Sequence, residues 1–189
     1  MSRTVRPIVL ACMFTFMAAG AHAQESSPAS AQRPISLGIL LGYSVAFDDP
    51  NWWGFGLGAR AGYNLKQIYL GVRFMYNFGE SYSDPIGLTD STANLWDVGA
   101  EVGYDFVPID KLTIRPELGL GVATTVLSVD TDFADASESR SKFSLSFGAS
   151  ALYDVTPSLF LGLNMRVPLV FADDTLAAWQ FLLNVGGRL

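Results

Sequence analysis

The stretch NLWDVGAEVGYDF, residues 94–106, alternates without interruption. Trp96, Val98, Ala100, Val102, Tyr104 and Phe106 are apolar, and the residues between them, Asp97, Gly99, Glu101, Gly103 and Asp105, are acidic or tiny. A period of two predicts a β-strand with two unlike faces. Seven further runs repeat the pattern, at 35–47, 53–64, 68–78, 112–126, 143–155, 159–171 and 179–189. In each, bulky residues such as Ile35, Leu37 and Ile39, or Leu159, Leu161 and Leu163, oppose Gly, Ser, Asn and isolated charges. Leu40, Leu152, Phe160 and Leu182 fall on the otherwise polar face, and Pro116 and Pro168 interrupt two runs, where a local bulge is expected.

Eight such strands suit either a soluble sandwich or barrel, apolar side inward, or a membrane barrel, apolar side outward. Composition decides between them. Only 16% of the 189 residues are charged and 50% are hydrophobic, and lysine occurs only at 66, 111 and 142. A water-facing surface normally carries abundant Lys and Glu. Small residues with sparse single charges fit a narrow interior, and continuous Leu, Val, Phe and Trp fit hydrocarbon outside. The expected fold is therefore all-β: an eight-stranded antiparallel up-and-down transmembrane barrel over residues 34–189.

The N-terminus predicts export. Arg3 and Arg6 precede the apolar run PIVLACMFTFMAAGA, and Ala21-His22-Ala23 offers a small-x-small cleavage pattern. The run is shorter than the roughly 20 residues that span a bilayer as a helix. Residues 1–23 are read as a signal peptide and 24–33, QESSPASAQR, as a flexible polar lead-in. Cleavage removes Cys12 and His22, the chain's one cysteine and one histidine, leaving no thiol or imidazole. It also makes a chain of formal charge -6 still more negative, which argues against a nucleic-acid partner.

The connections alternate in length. LKQ (65–67), PIDK (108–111) and TPS (156–158) are tight turns. Segments 48–51, 79–93, 129–142 and 172–176 lie on the other side, and the middle two are expected to be long loops. Bacterial barrels place short turns in the periplasm and long loops outside. Trp53, Phe78, Trp96, Phe143, Phe171 and Trp179 sit near the outer ends, and Tyr63, Tyr104 and Tyr153 near the turns, as two interfacial girdles.

The inward charges are expected to pair across the lumen as a structural network: Arg60, Arg73, Asp97, Glu101, Arg115, Glu117 and Arg166. Eight strands enclose a bore only wide enough for side chains to fill, so the lumen is expected to be closed. Signal, strand count, loop asymmetry and girdles together make residues 34–189 similar to the small eight-stranded outer-membrane barrels of Gram-negative bacteria. That group includes the OmpA transmembrane domain, OmpX and OmpW. The chain departs from them in its final strand, QFLLNVGGRL, which ends in Leu189 with Gly187 where an aromatic is common.

The resemblance implies residence in the outer membrane, among its lipid and lipopolysaccharide. Three roles follow: a plugged barrel with a structural or surface-interaction role, a narrow pore or OmpW-like conduit for small hydrophobic ligands, and an envelope enzyme. Barrel enzymes that modify lipid A imply a catalytic histidine, and the mature chain has none. Asp97 and Glu101 are better read as partners of arginine than as catalysts, and DTDFAD (130–135) lacks the spacing of a calcium loop. No enzyme activity, cofactor or metal is expected. The first role is favoured, as a monomer. Its extracellular protein or ligand would meet loops 79–93 and 129–142, whose rim is acidic.

Overall fold

The structure, a computed structural model, describes residues 33–47, 53–83, 89–131, 134–172 and 175–189. The expected signal segment 1–23, nearly all of the lead-in and the segment 48–51 lie outside the described residues. The strands are β1 (Ile35–Ala46), β2 (Phe55–Leu65), β3 (Ile68–Ser83), β4 (Thr89–Tyr104), β5 (Phe106–Ile109), β6 (Leu112–Thr131), β7 (Ala134–Thr156), β8 (Leu159–Val170) and β9 (Leu176–Arg188). Each pairs antiparallel with its neighbour, β9 pairs with β1, and β4 pairs with β6. The sheet is thereby closed. β4 and β5 form one barrel strand interrupted at Asp105, giving eight strands around the ring.

Outside and inside are inverted relative to a soluble barrel. Ile39 is 60% exposed and Leu163 67%, while Arg60, Glu101 and Arg166 are buried. The pleat enforces this, since successive side chains point to opposite faces. Turns close one end with two residues each: Lys66-Gln67 between Leu65 and Ile68, Asp110-Lys111 between Ile109 and Leu112, and Pro157-Ser158 between Thr156 and Leu159. Lys66 and Lys111 adopt φ of 58° and 70°, the left-handed conformation that lets the first two turns close in two residues. Thr156 Oγ1 accepts from the backbone N–H groups of Ser158 and Leu159 at 3.2 and 3.0 Å, fixing the third turn.

Two expectations are corrected at the opposite end. The described parts of segments 79–93 and 129–142 are strands rather than long loops. β3 pairs with β4 out to Ser83 and Asp90, β4 with β6 to Thr89 and Thr131, and β6 with β7 to Thr131 and Ala134. β2 and β8 stop earlier, at the pairs Phe55–Phe78 and Ser144–Val170. Four strands thus continue as a raised sheet above the rim. Its residues are mostly polar at both parities, so they carry no hydrophobic period, yet main-chain pairing needs none.

The prolines, too, behave otherwise than expected. Neither produces a bulge. Pairing between β8 and β9 lapses at Val167 and Pro168 and resumes at Leu169–Ala177 in the same register. Pro116 lies where β4 gives way to β5, and the ladder keeps its register from Gly103–Glu117 to Phe106–Ile114. A proline nitrogen has no hydrogen to donate, so one ladder bond is lost while the strand stays extended. The register shifts fall elsewhere, between Phe78 and Ser81 at the rim and beside two of the turns.

Candidate functional site: the filled lumen and the raised sheet

The inward parity of β2, β3, β4, β6 and β8 sends charges from each strand into one layer at mid-lumen. The Arg60 guanidinium donates from Nη2 to Glu101 Oε2 and Glu117 Oε1, both at 3.0 Å. Arg73 lies 3.0 Å from Asp97 and 3.2 Å from Glu101. Arg166 reaches Glu101 at 2.9 Å and Glu117 at 3.2 Å. Ser150 and Asn164 also donate to Glu117, at 2.6 and 3.1 Å. Three arginines and three carboxylates from five strands are thus mutually compensated, and all are buried. Pairing of this kind is what allows charge in a space with little water.

Toward the turns the pattern continues in two separate pairs. Arg115 donates to Asp105 Oδ2 at 2.8 Å and to Asn64 Oδ1 at 3.3 Å. Asp105, at the break in the fourth barrel strand, keeps the inward parity of Asp97 and Glu101, with its side chain held by Arg115. Arg188 pairs with Asp154. The remaining void here, bounded by Ser36, Arg60, Arg115, Phe160, Asn184 and Arg188, measures about 10 Å³. That is about the space of one water molecule.

Tyr69 is the residue that sequence reasoning missed. Its ring lies between two cations, with the Arg115 guanidinium carbon 3.8 Å from the centroid and that of Arg60 4.9 Å. Its hydroxyl accepts from Arg60 Nε at 3.3 Å. A Cβ on Gly62 would come within 2.1 Å of the ring, and one on Gly71 within 2.2 Å of the hydroxyl. The two glycines therefore make the slot in which the ring lies flat. An aromatic on the same face as Gly71, opposite a glycine-rich β2, was the available signal.

The outer mouth is lined differently. Trp53, expected in the outer girdle, is instead 1% exposed and packs with Leu95, Ala123, Val170 and Ala178. It precedes β2, and Gly54, at φ 41°, accepts from the Ser44 N–H at 2.8 Å, which turns the chain inward there. A residue outside a strand does not obey strand parity, so alternation misplaced it. Below it, Gln180 donates to Asn77 at 3.2 Å, and Leu40, Met75 and Leu182 form a second apolar cluster.

Phe78, Phe143, Phe171 and Trp179 point outward at the mouth end, with Phe143 and Phe171 stacked at 5.8 Å. Trp96 is half-buried, 6.5 Å from Phe74. Tyr63, Tyr104 and Tyr153 point outward near the turns. Asp97 and Glu101 are both engaged by arginine, and among the described residues no cluster of His, Cys, Asp or Glu is arranged to hold a metal. The DTDFAD side chains lie outside the described residues.

An inverted, closed, eight-stranded antiparallel barrel with a charge-compensated interior is the architecture of a bacterial outer-membrane protein. The chain belongs to the outer membrane protein beta-barrel domain family, whose model matches residues 8–188. Solved structures agree in fold. Neisserial surface protein A superposes with a TM-score of 0.61 at 17% identity, covering 82% of this chain and 97% of that one. A major outer membrane protein from Thermus thermophilus gives 0.66 at 11% identity, covering 82% and 98%. Ail, the attachment invasion locus protein of Yersinia pestis, gives 0.55 at 19% identity, covering 82% and 97%. No curated protein matches the sequence. The protein resides in the bacterial outer membrane and crosses it with its strands.

Proposed function

We propose that this is a non-enzymatic surface-interaction protein, monomeric within its membrane, whose lumen conducts nothing and whose raised sheet meets partners outside the cell. The observation that carries the reading is the contrast between the two parts. The bore is filled from Trp53 at the mouth to the Arg188–Asp154 pair at the turns. The raised sheet is built from strands of 16 to 23 residues, beyond what crossing the bilayer requires. Contact residues on a rigid scaffold are the usual place for recognition. The aromatic bands hold the barrel at the two headgroup levels, next to lipid and lipopolysaccharide.

The apex sets the partner's charge. In sequence, segments 79–93 and 129–142 carry Glu80, Asp84, Asp90, Asp130, Asp132, Asp135 and Glu138 against Arg140 and Lys142. Ail has been crystallised with the heparin analogue sucrose octasulfate. The acidic apex of this chain disfavours a polysulfated ligand and favours a cationic or neutral one. Tyr82, Ile86, Leu88 and Phe133 supply apolar contact groups.

The test is a double deletion of residues 81–92 and 131–140, which removes the apex and leaves the lower strands. The variant should still shift on a gel when boiled, and vesicles carrying it should no longer capture a fluorescent oligolysine peptide. Retained capture would move the binding surface off the raised sheet. Planar-bilayer recordings of the full chain should show no steady current; porin-like conductance would overturn the closed-lumen part of the reading.

A further inference from the structure

Among the described residues the raised sheet ends in two free edges, and that of β7 is the longer. Below the rim, β7 is flanked by β6 and β8. β8 leaves it at the pair Ser144–Val170, after which Phe143 accepts one last bond from the Phe171 N–H at 3.0 Å. Among the described strands, the backbone of residues 134–142 is laddered to β6. At ~3.3 Å per residue this edge is about 30 Å long. Because the Phe143 carbonyl points to the β8 side, Ser141, Ser139 and Ser137 direct their N–H and C=O groups to that same open side. Glu138, Arg140 and Lys142 alternate with these serines.

Charges on an exposed edge ordinarily discourage pairing with other chains. Here their order discriminates between two ways of pairing with a copy of itself. Two barrels in one membrane have their β7 strands running the same way, and a two-fold axis along the membrane normal would set the edges parallel and in register. Glu138 would then lie beside Glu138 and Arg140 beside Arg140, like against like. Two barrels in facing membranes have β7 strands running in opposite directions. An antiparallel ladder centred on Ser139 would pair Ser137 with Ser141 through the main chain. It would also set each Glu138 opposite the other chain's Arg140. Those positions form the pairs without ladder bonds, where opposed Cα atoms come within ~4.5 Å and side chains are closest. A shift by one pairing step would put Arg140 against Arg140 between two flanking Glu138–Lys142 pairs, so it keeps two attractive pairs but adds a repulsive centre. The sequence Ser-Glu-Ser-Arg-Ser is therefore self-complementary in one direction, and the register centred on Ser139 is the one that pairs opposite charges without a like-charge contact.

The exposed state of these groups fits such a contact. Glu138 and Arg140 pair with each other along their own strand at 2.7 Å, with side chains 62% and 64% exposed. Both side chains are exposed enough to meet a second chain.

We propose that the free edge of β7 is a homotypic contact that joins two copies of this protein across apposed membranes. The inference deepens the surface-interaction reading and rests on it. It is tested with the full chain reconstituted in phosphatidylcholine vesicles, by light scattering. Wild-type vesicles should cluster, and clustering should weaken in ~1 M salt, where screening shortens to ~3 Å. Vesicles bearing E138R alone, or R140E alone, should not cluster. A mixture of E138R vesicles with R140E vesicles should cluster again, since each Arg then meets a Glu. Both substitutions lie above the rim, and the boiling shift on a gel checks that the barrel has formed.

Three results would overturn the proposal: wild-type vesicles that stay dispersed, single variants that cluster as wild type does, or a mixture that stays dispersed. Dispersed vesicles that still capture oligolysine would remove the homotypic contact and leave the general surface role standing. Loss of capture would remove that role itself.

Discussion

Arg60, Arg73 and Arg166 meet Asp97, Glu101 and Glu117 at mid-lumen, whereas farther along the same bore Trp53, Leu95, Ala123, Val170 and Ala178 pack at the mouth without a charge. The two regions occupy the bore by unlike means. At mid-lumen each group depends on partners delivered from other strands, and its loss leaves opposite charges buried and uncompensated. At the mouth the contacts are non-directional, and loss removes apolar area and opens a gap. The first kind of filling is brittle and the second is forgiving.

The largest effect is therefore expected at Glu101, which faces three arginines. Glu101→Ala should destabilise the barrel by about 3 to 5 kcal/mol in equilibrium unfolding from detergent or lipid. A change below about 1 kcal/mol would show that water, rather than the carboxylate, compensates the arginines.

Trp53→Ala comes next, at about 3 kcal/mol, with Trp53→Phe well tolerated because it keeps an apolar ring at the mouth. If the Phe variant were as damaging as Ala, the mouth would be as specific as the network and the contrast would fail. Gly62→Ala tests the slot on the turn side of the network. Its Cβ would displace Tyr69 from between Arg60 and Arg115, costing about 1 to 3 kcal/mol by overpacking. Combining it with Tyr69→Ala should relieve that clash, and the double-mutant coupling would measure it. The smallest effect belongs to the exposed pair above the rim: Glu138→Ala or Arg140→Ala should change unfolding by less than about 1 kcal/mol. A larger loss would mean that the raised sheet is part of the barrel's cooperative unit.

The barrel itself was legible in the sequence because alternation reports which face a residue takes. Wherever hydrocarbon lies on one side, every second position must be apolar, so eight runs, their inward arginines and acids, and the outward Phe143 and Tyr63 could all be assigned. The signal fails where its cause is absent. Residues 79–83 and 134–142 lie above the rim, mostly polar at both parities, and their pairing uses main-chain bonds that leave no trace in side-chain identity. Trp53 lies outside a strand, and its aromatic character alone points to an interface. Pro116 and Pro168 suggest bulges by type, whereas the ladder absorbs each missing donor in register.

Sequence alone determined the class of this protein, since a period of two with bulky apolar residues on one side and few lysines anywhere has its stable solution in a membrane barrel. It also determined which charges face inward, because parity is a local property. Who meets whom was decided by the tertiary structure. That Glu101 bridges Arg60, Arg73 and Arg166, that Tyr69 lies in a glycine slot between two guanidinium groups, and that four strands rise past the other four all depend on register and stagger around a closed ring. Those are set by pairings between residues dozens of positions apart, and no local pattern encodes them.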